Sequence, residues 1–128
     1  MDRKIILTAS ILGIVAIILG AFGAHALKEM IDVKSLATFE TGVKYQMYHA
    51  LFLLFLGTNA LIREKTKKRI LILTLFGVLF FSGSIFLLAT NSITAFDFKI
   101  IGFITPLGGL LLIMAWSLLL IDFLKNKS

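Results

Sequence analysis

Four long apolar runs, at residues 5–24, 43–62, 70–90 and 100–121, are separated by short polar stretches. A helix rising about 1.5 Å per residue needs about 20 residues to cross a hydrocarbon core about 30 Å thick. Each run meets that length, so the pattern predicts an all-α integral membrane protein: four transmembrane helices in a bundle, forming a single domain over residues 1–128. Between the first two runs, Leu27, Met30, Ile31, Leu36, Phe39 and Val43 recur every three or four residues with charges between them. That spacing predicts an amphipathic interfacial helix between helices 1 and 2. Asp32 or Ser35 is placed to cap its second part, and the second transmembrane helix can begin as early as Ser35.

Charge then orients the spans. The chain has 13 Lys and Arg against 7 Asp and Glu. With four spans, Arg3, Lys4, Arg63, Lys65, Lys67, Lys68, Arg69, Lys125 and Lys127 fall on one side, and only Lys28, Lys34, Lys44 and Lys99 on the other. Basic short loops stay in the cytoplasm, so both termini are expected there, with the connections at 26–42 and 91–98 outside. Topology accounts for the basic excess, and nucleic acid is not an expected partner; membrane lipids and a second copy of the chain are. The 63–69 cluster also suits contact with anionic lipid. Asp97 and Asp122 are expected at helix ends, where a carboxylate stays wet. The chain contains no cysteine, which excludes disulfides, thiolate metal sites and thiol nucleophiles. Its start resembles a secretory signal, but a 20-residue apolar run exceeds the usual signal core of about 7–15, and retention is expected.

Small residues mark the helices. Gly13 and Gly20 lie seven apart, and Ala16, Gly20 and Ala24 share one face of the first helix; Gly77 and Ser84, then Gly102, Gly109 and Trp116, repeat the seven-residue spacing. In lipid, small faces let backbones approach and gain dispersion contacts, so Gly13, Gly20, Gly83, Gly108 and Gly109 are read as packing positions, with a glycine-lined conduit as the alternative. Pro106 falls inside the fourth run and cannot donate to the carbonyl of Gly102, so a kink or hinge is expected there, with Thr105 or a neighbouring helix meeting that carbonyl.

The candidate chemistry is the polar group Tyr45, Gln46, Tyr48 and His49, which enters the membrane with the second run. Tyr45 and Gln46 precede His49 by four and three residues and share its helical face; His25, at the outer end of the first span, is on the same side of the membrane. Three readings remain open. These side chains can satisfy themselves at the interface; they can form a polar pocket that binds a lipid headgroup or small ligand, or relays protons through an imidazole; or the two histidines can ligate a haem or metal. Two histidines without cysteine make a weak metal signature, and no cofactor or metal site is predicted. Ser82, Ser84 and Thr90 are expected to bond within their helix or to neighbours, and no catalytic residues are assigned because no acid–base set accompanies them.

The segments Gly20-Ala-Phe-Gly-Ala-His-Ala-Leu-Lys28, Phe39-Glu-Thr-Gly-Val-Lys-Tyr-Gln-Met-Tyr-His-Ala-Leu51, Phe81-Ser-Gly-Ser84 and Ile104-Thr-Pro-Leu-Gly-Gly109 together resemble the domain-of-unknown-function 423 family of small membrane proteins, of the YgdD and YwdK type. The resemblance implies a four-span bacterial plasma-membrane protein without an assigned activity. It also implies that His25, Tyr45, Gln46, Tyr48, His49, Ser82, Gly83, Pro106, Gly108 and Gly109 belong to the family pattern. The preferred reading is a binding protein whose His25 and 45–49 region forms a pocket near the outer leaflet; the alternative is a small homo-oligomeric transporter or channel, followed by bis-histidine haem electron transfer.

Overall fold

A computed structural model describes residues 2–94 and 99–125, except the side chains of Lys99 and Ile100. Asp97 and Lys127 lie outside the described residues. Four long helices account for most of the rest: α1 Asp2–His25, α2 Val33–Thr58, α3 Glu64–Ala89 and α4 Ile104–Lys125. Short 3-10 helices at Leu27–Glu29, Asn91–Ile93 and Lys99–Phe103 bridge the longer ones. Three stretches, Asp2–Glu29, Glu64–Ala89 and Ile101–Lys125, are long and apolar enough to cross a membrane. α2 is long enough, but the polar residues 44–49 in its middle keep it out of that set.

The stretch read as an interfacial helix is divided between the first 3-10 turn and the opening turns of α2. Asp32 starts α2 as its cap, its Oδ1 accepting the Ser35 N–H at 2.6 Å, so the helix runs unbroken from the polar connection into its apolar half. Pro106 produces no mid-helix kink. α4 begins only at Ile104, which puts Pro106 among the first four residues, whose N–H groups have no partner within a helix anyway. Thr105 turns its hydroxyl to Ser84 on α3 at 2.5 Å, not to the Gly102 carbonyl.

Helices adjacent in sequence pack together, α1 on α2, α2 on α3 and α3 on α4. The core has two apolar ends. One gathers Ile5, Ala9, Leu53, Leu56, Ile70 and Ala115; the other gathers Leu27, Phe39 and Ala89. Four glycines allow the closest approaches. A Cβ added at Gly42 would come within 2.7 Å of Phe86, at Gly57 within 2.9 Å of Ile6, at Gly77 within 2.6 Å of Leu112, and at Gly108 within 2.3 Å of the Phe81 backbone nitrogen. The heptad reading found Gly77, and the packing assignment found Gly108; Gly13, Gly20 and Gly109 make only ordinary contacts, with Ala50, Val43 and Phe81. Gly83 is a correction: nothing lies within 4 Å of its Cβ position, so it leaves space where packing was expected.

Ion pairs tie the end that carries Asp2 and Lys125. Asp122, 1% exposed, accepts from Arg63 Nε at 2.7 Å and from the Thr66 hydroxyl at 2.8 Å. This corrects the expectation of a wet carboxylate: the short connection after α2 folds its first basic residue over the end of α4. Lys67 is equally covered and donates to Asp2 at 3.0 Å. Two basic residues of the 63–69 cluster are therefore spent on the fold.

Candidate functional site

The polar group of α2 divides by direction. Gln46 and His49 point inward and are buried, whereas Tyr45 and Tyr48 are 41% and 53% exposed. Gln46 and His49, three apart, share a helix face and look toward the neighbouring helices together with Gly42 and Leu53, whereas Tyr45, expected on that face, lies at its exposed edge.

His49 is fully engaged. Its Nδ1 lies 2.7 Å from the Tyr45 carbonyl oxygen and its Nε2 lies 3.1 Å from Trp116 Nε1 on α4. A carbonyl only accepts and an indole only donates, which fixes the tautomer: the proton is on Nδ1, and Nε2 accepts from Trp116. Phe52 packs on the same indole, with ring centroids 4.1 Å apart, and Tyr45 packs on Phe81 at 4.9 Å. The imidazole is therefore the join between α2 and α4.

His25 does not reach this join. It is the exposed last residue of α1, whereas the level of His49 is marked by the contact of Ala50 with Gly13. Twelve helical residues separate Gly13 from His25, or about 18 Å along the axis. The pocket expected to unite the two histidines near one surface is not formed, and a single chain cannot bring both to one iron. The polar residues lie half-way along the helices because α2 enters the bundle from Val33, several turns before Tyr45.

Gln46 instead faces a lateral cleft. The cleft has a volume of about 490 Å³, with Leu12, Val15 and Leu19 of α1 on one wall and Leu75, Leu79 and Phe86 of α3 on the other. Gln46 of α2 forms part of its floor, and Gly83, open at its Cβ position, keeps the α3 wall low. Gln46 is the only polar side chain among the described lining residues. Its Nε2 donates to the Leu12 carbonyl at 2.9 Å. A smaller groove of about 350 Å³ on the other side of α3 is lined by Tyr45, His49, Phe81, Gly109 and Trp116. No group of three or more His, Asp or Glu side chains suited to a metal occurs among the described residues.

Ser82 and Ser84 act as connectors, Ser82 donating to the Gly42 carbonyl at 2.8 Å and Ser84 meeting Thr105, while Thr90 bonds back to Phe86. The Thr74 hydroxyl is fully covered without a partner among the described residues and borders neither cavity. Sequence reading missed the cleft, whose walls come from α1 and α3. Its only trace in the sequence was Gly83 beside an otherwise large-residue face.

Long apolar helices with apolar residues on their exposed faces and internally bonded polar side chains define a helical membrane protein. The chain belongs to the family described as "Protein of unknown function (DUF423)", which matches residues 19–109. A UPF0382 membrane protein of Staphylococcus saprophyticus is 38% identical over 123 residues, covering 96% of this chain and 98% of that one. UPF0382 membrane protein YwdK of Bacillus subtilis is 36% identical over 128 residues, covering 96% and 98%. UPF0382 inner membrane protein YgdD of Escherichia coli is 30% identical over 133 residues, covering 98% and 93%. No solved structure matches the chain.

Proposed function

We propose that this protein is a lipid-binding, non-enzymatic multi-pass protein of the plasma membrane, and that the cleft between α1 and α3 takes up one long apolar chain from the bilayer. All four long helices span the membrane in this reading, α2 by turning Gln46 and His49 inward to partners on α1 and α4, with residues 26–36 at the outer interface. Both termini and the basic α2–α3 connection lie in the cytoplasm, as the asymmetry of Lys and Arg requires. The relative named an inner membrane protein supports this location.

The observation that carries the reading is the cleft: about 490 Å³, apolar on both walls and opening sideways between α1 and α3. In a bilayer such a space fills with hydrocarbon, and its volume lies within the range typical of ligand sites. The proposed lipid site thus shifts from the His/Tyr residues to the α1–α3 cleft, because His49 already spends both ring nitrogens inside the protein.

The test uses Gly83, where a side chain has free space to occupy. Native mass spectrometry after mild detergent extraction should find one lipid retained per wild-type chain, kept by Gly83→Ala and lost by Gly83→Phe. Equal retention by Gly83→Phe, or none by the wild type, overturns the reading.

A further inference from the structure

The floor of the cleft carries more information than its walls. Gln46 is 5% exposed and is placed by α2 between α1 and α3. Its nitrogen is identified by its partner, because the Leu12 oxygen can only accept. The other amide atom, Oε1, therefore faces away from Leu12 and accepts no hydrogen bond among the described residues. A carbonyl oxygen has room for two donors, and leaving one unmet in an apolar setting is costly. A Leu or Met here would fill the same place without that cost. One amide hydrogen on Nε2 also remains beyond the Leu12 contact.

Resting on the lipid-binding reading above, we propose that the occupant of the cleft is a lipid chain bearing a hydroxyl group at the depth of Gln46, which donates to Oε1 and can accept from the remaining Nε2 hydrogen. A plain hydrocarbon chain supplies neither contact, and an ester or ketone oxygen alone leaves Oε1 unmet. The depth also matters. Leu12 lies half-way along α1, so the hydroxyl belongs well down the chain and not at the headgroup.

The probe is a matched pair of phosphatidylcholines, one with a mid-chain hydroxystearoyl group and one with stearoyl, added in equal amounts to the purified protein in mild detergent and scored by native mass spectrometry. The wild type should retain the hydroxylated lipid about tenfold over its counterpart, as one well-placed hydrogen bond warrants. Gln46→Met keeps the length of the side chain and leaves the Leu12 carbonyl with its helical partner, so it should retain the two probes alike and lose the preference. Gly83→Phe should retain neither. A wild type without preference, or a preference that survives Gln46→Met, overturns the proposal while leaving the cleft as a lipid site. Failure of the wild type to retain either probe overturns both.

Discussion

The glycines of this chain separate by what a methyl group would meet. At Gly108 it would meet the backbone of Phe80 and Phe81, which cannot move aside as a side-chain tip can. Gly108→Ala should therefore force α4 off α3 and cost about 1–3 kcal/mol, as overpacking does. Gly83→Ala should be neutral or slightly stabilising, because nothing occupies the space and the unfolded chain loses freedom. Thermal unfolding in one detergent, with the two variants side by side, checks the contrast. The seven-residue spacing in the sequence could rank neither residue, since the deciding distances run between helices. The polar cluster was legible only as a cluster: helix spacing put Tyr45, Gln46 and His49 on one face, whereas Tyr45 lies at its exposed edge, and neither that nor the neighbours each residue meets could be read from the sequence.

Among the elements, the apolar runs located α1 closely but misplaced the starts of α2, α3 and α4, α3 beginning six residues before its run. α2 begins ten residues earlier than the run at 43–62, because a cap and an amphipathic pattern extend a helix without raising its hydropathy. α4 begins later than the run at 100–121, because Pro106 is tolerated in a first turn and not in a helix interior. The cap has a pH signature. The Ser35 backbone N–H, then its hydroxyl, favour the Asp32 carboxylate and hold its pKa below the ordinary range. A lowered pKa contributes stability that is fully present above the unfolded-state value and is lost as pH falls through the folded-state value. Protection of the Ser35 and Leu36 amides, measured against the intrinsic exchange rate at each pH, should therefore fall at acidic pH below the ordinary carboxylate range. Asp32→Asn, which caps without a charge, should remove that acid dependence; exchange equally acid-sensitive in the variant would assign the effect to another group.

Across the whole molecule, the ties at one end join parts distant in sequence. Arg63 lies between α2 and α3, and its partner Asp122 is near the end of α4. Arg63 is more than half exposed and can return to water, whereas Asp122 is covered. Arg63→Ala should thus destabilise by about 1–3 kcal/mol, the scale of a charged hydrogen bond removed from a covered partner. Adding Asp122→Leu should recover most of that loss, and a double-mutant cycle on unfolding free energies measures the coupling. Basic residues at 63–69 read in the sequence as a topology signal, and nothing there distinguishes Arg63 and Lys67, which pair with Asp122 and Asp2, from the rest. The cleft was illegible for a related reason: α1 and α3 are separated by the whole of α2 in sequence, and only their packing on its two sides puts them face to face.

The seam between α2 and α4 closes on Trp116, the only tryptophan in the chain. Its ring rests on Phe52 and its N–H is given to His49. The protein consequently carries its own optical gauge, needing no attached dye. Indole emission is sensitive to hydrogen bonding and to nearby rings, so the colour and yield of this single fluorophore report whether the last helix is seated, in a vesicle as readily as in detergent.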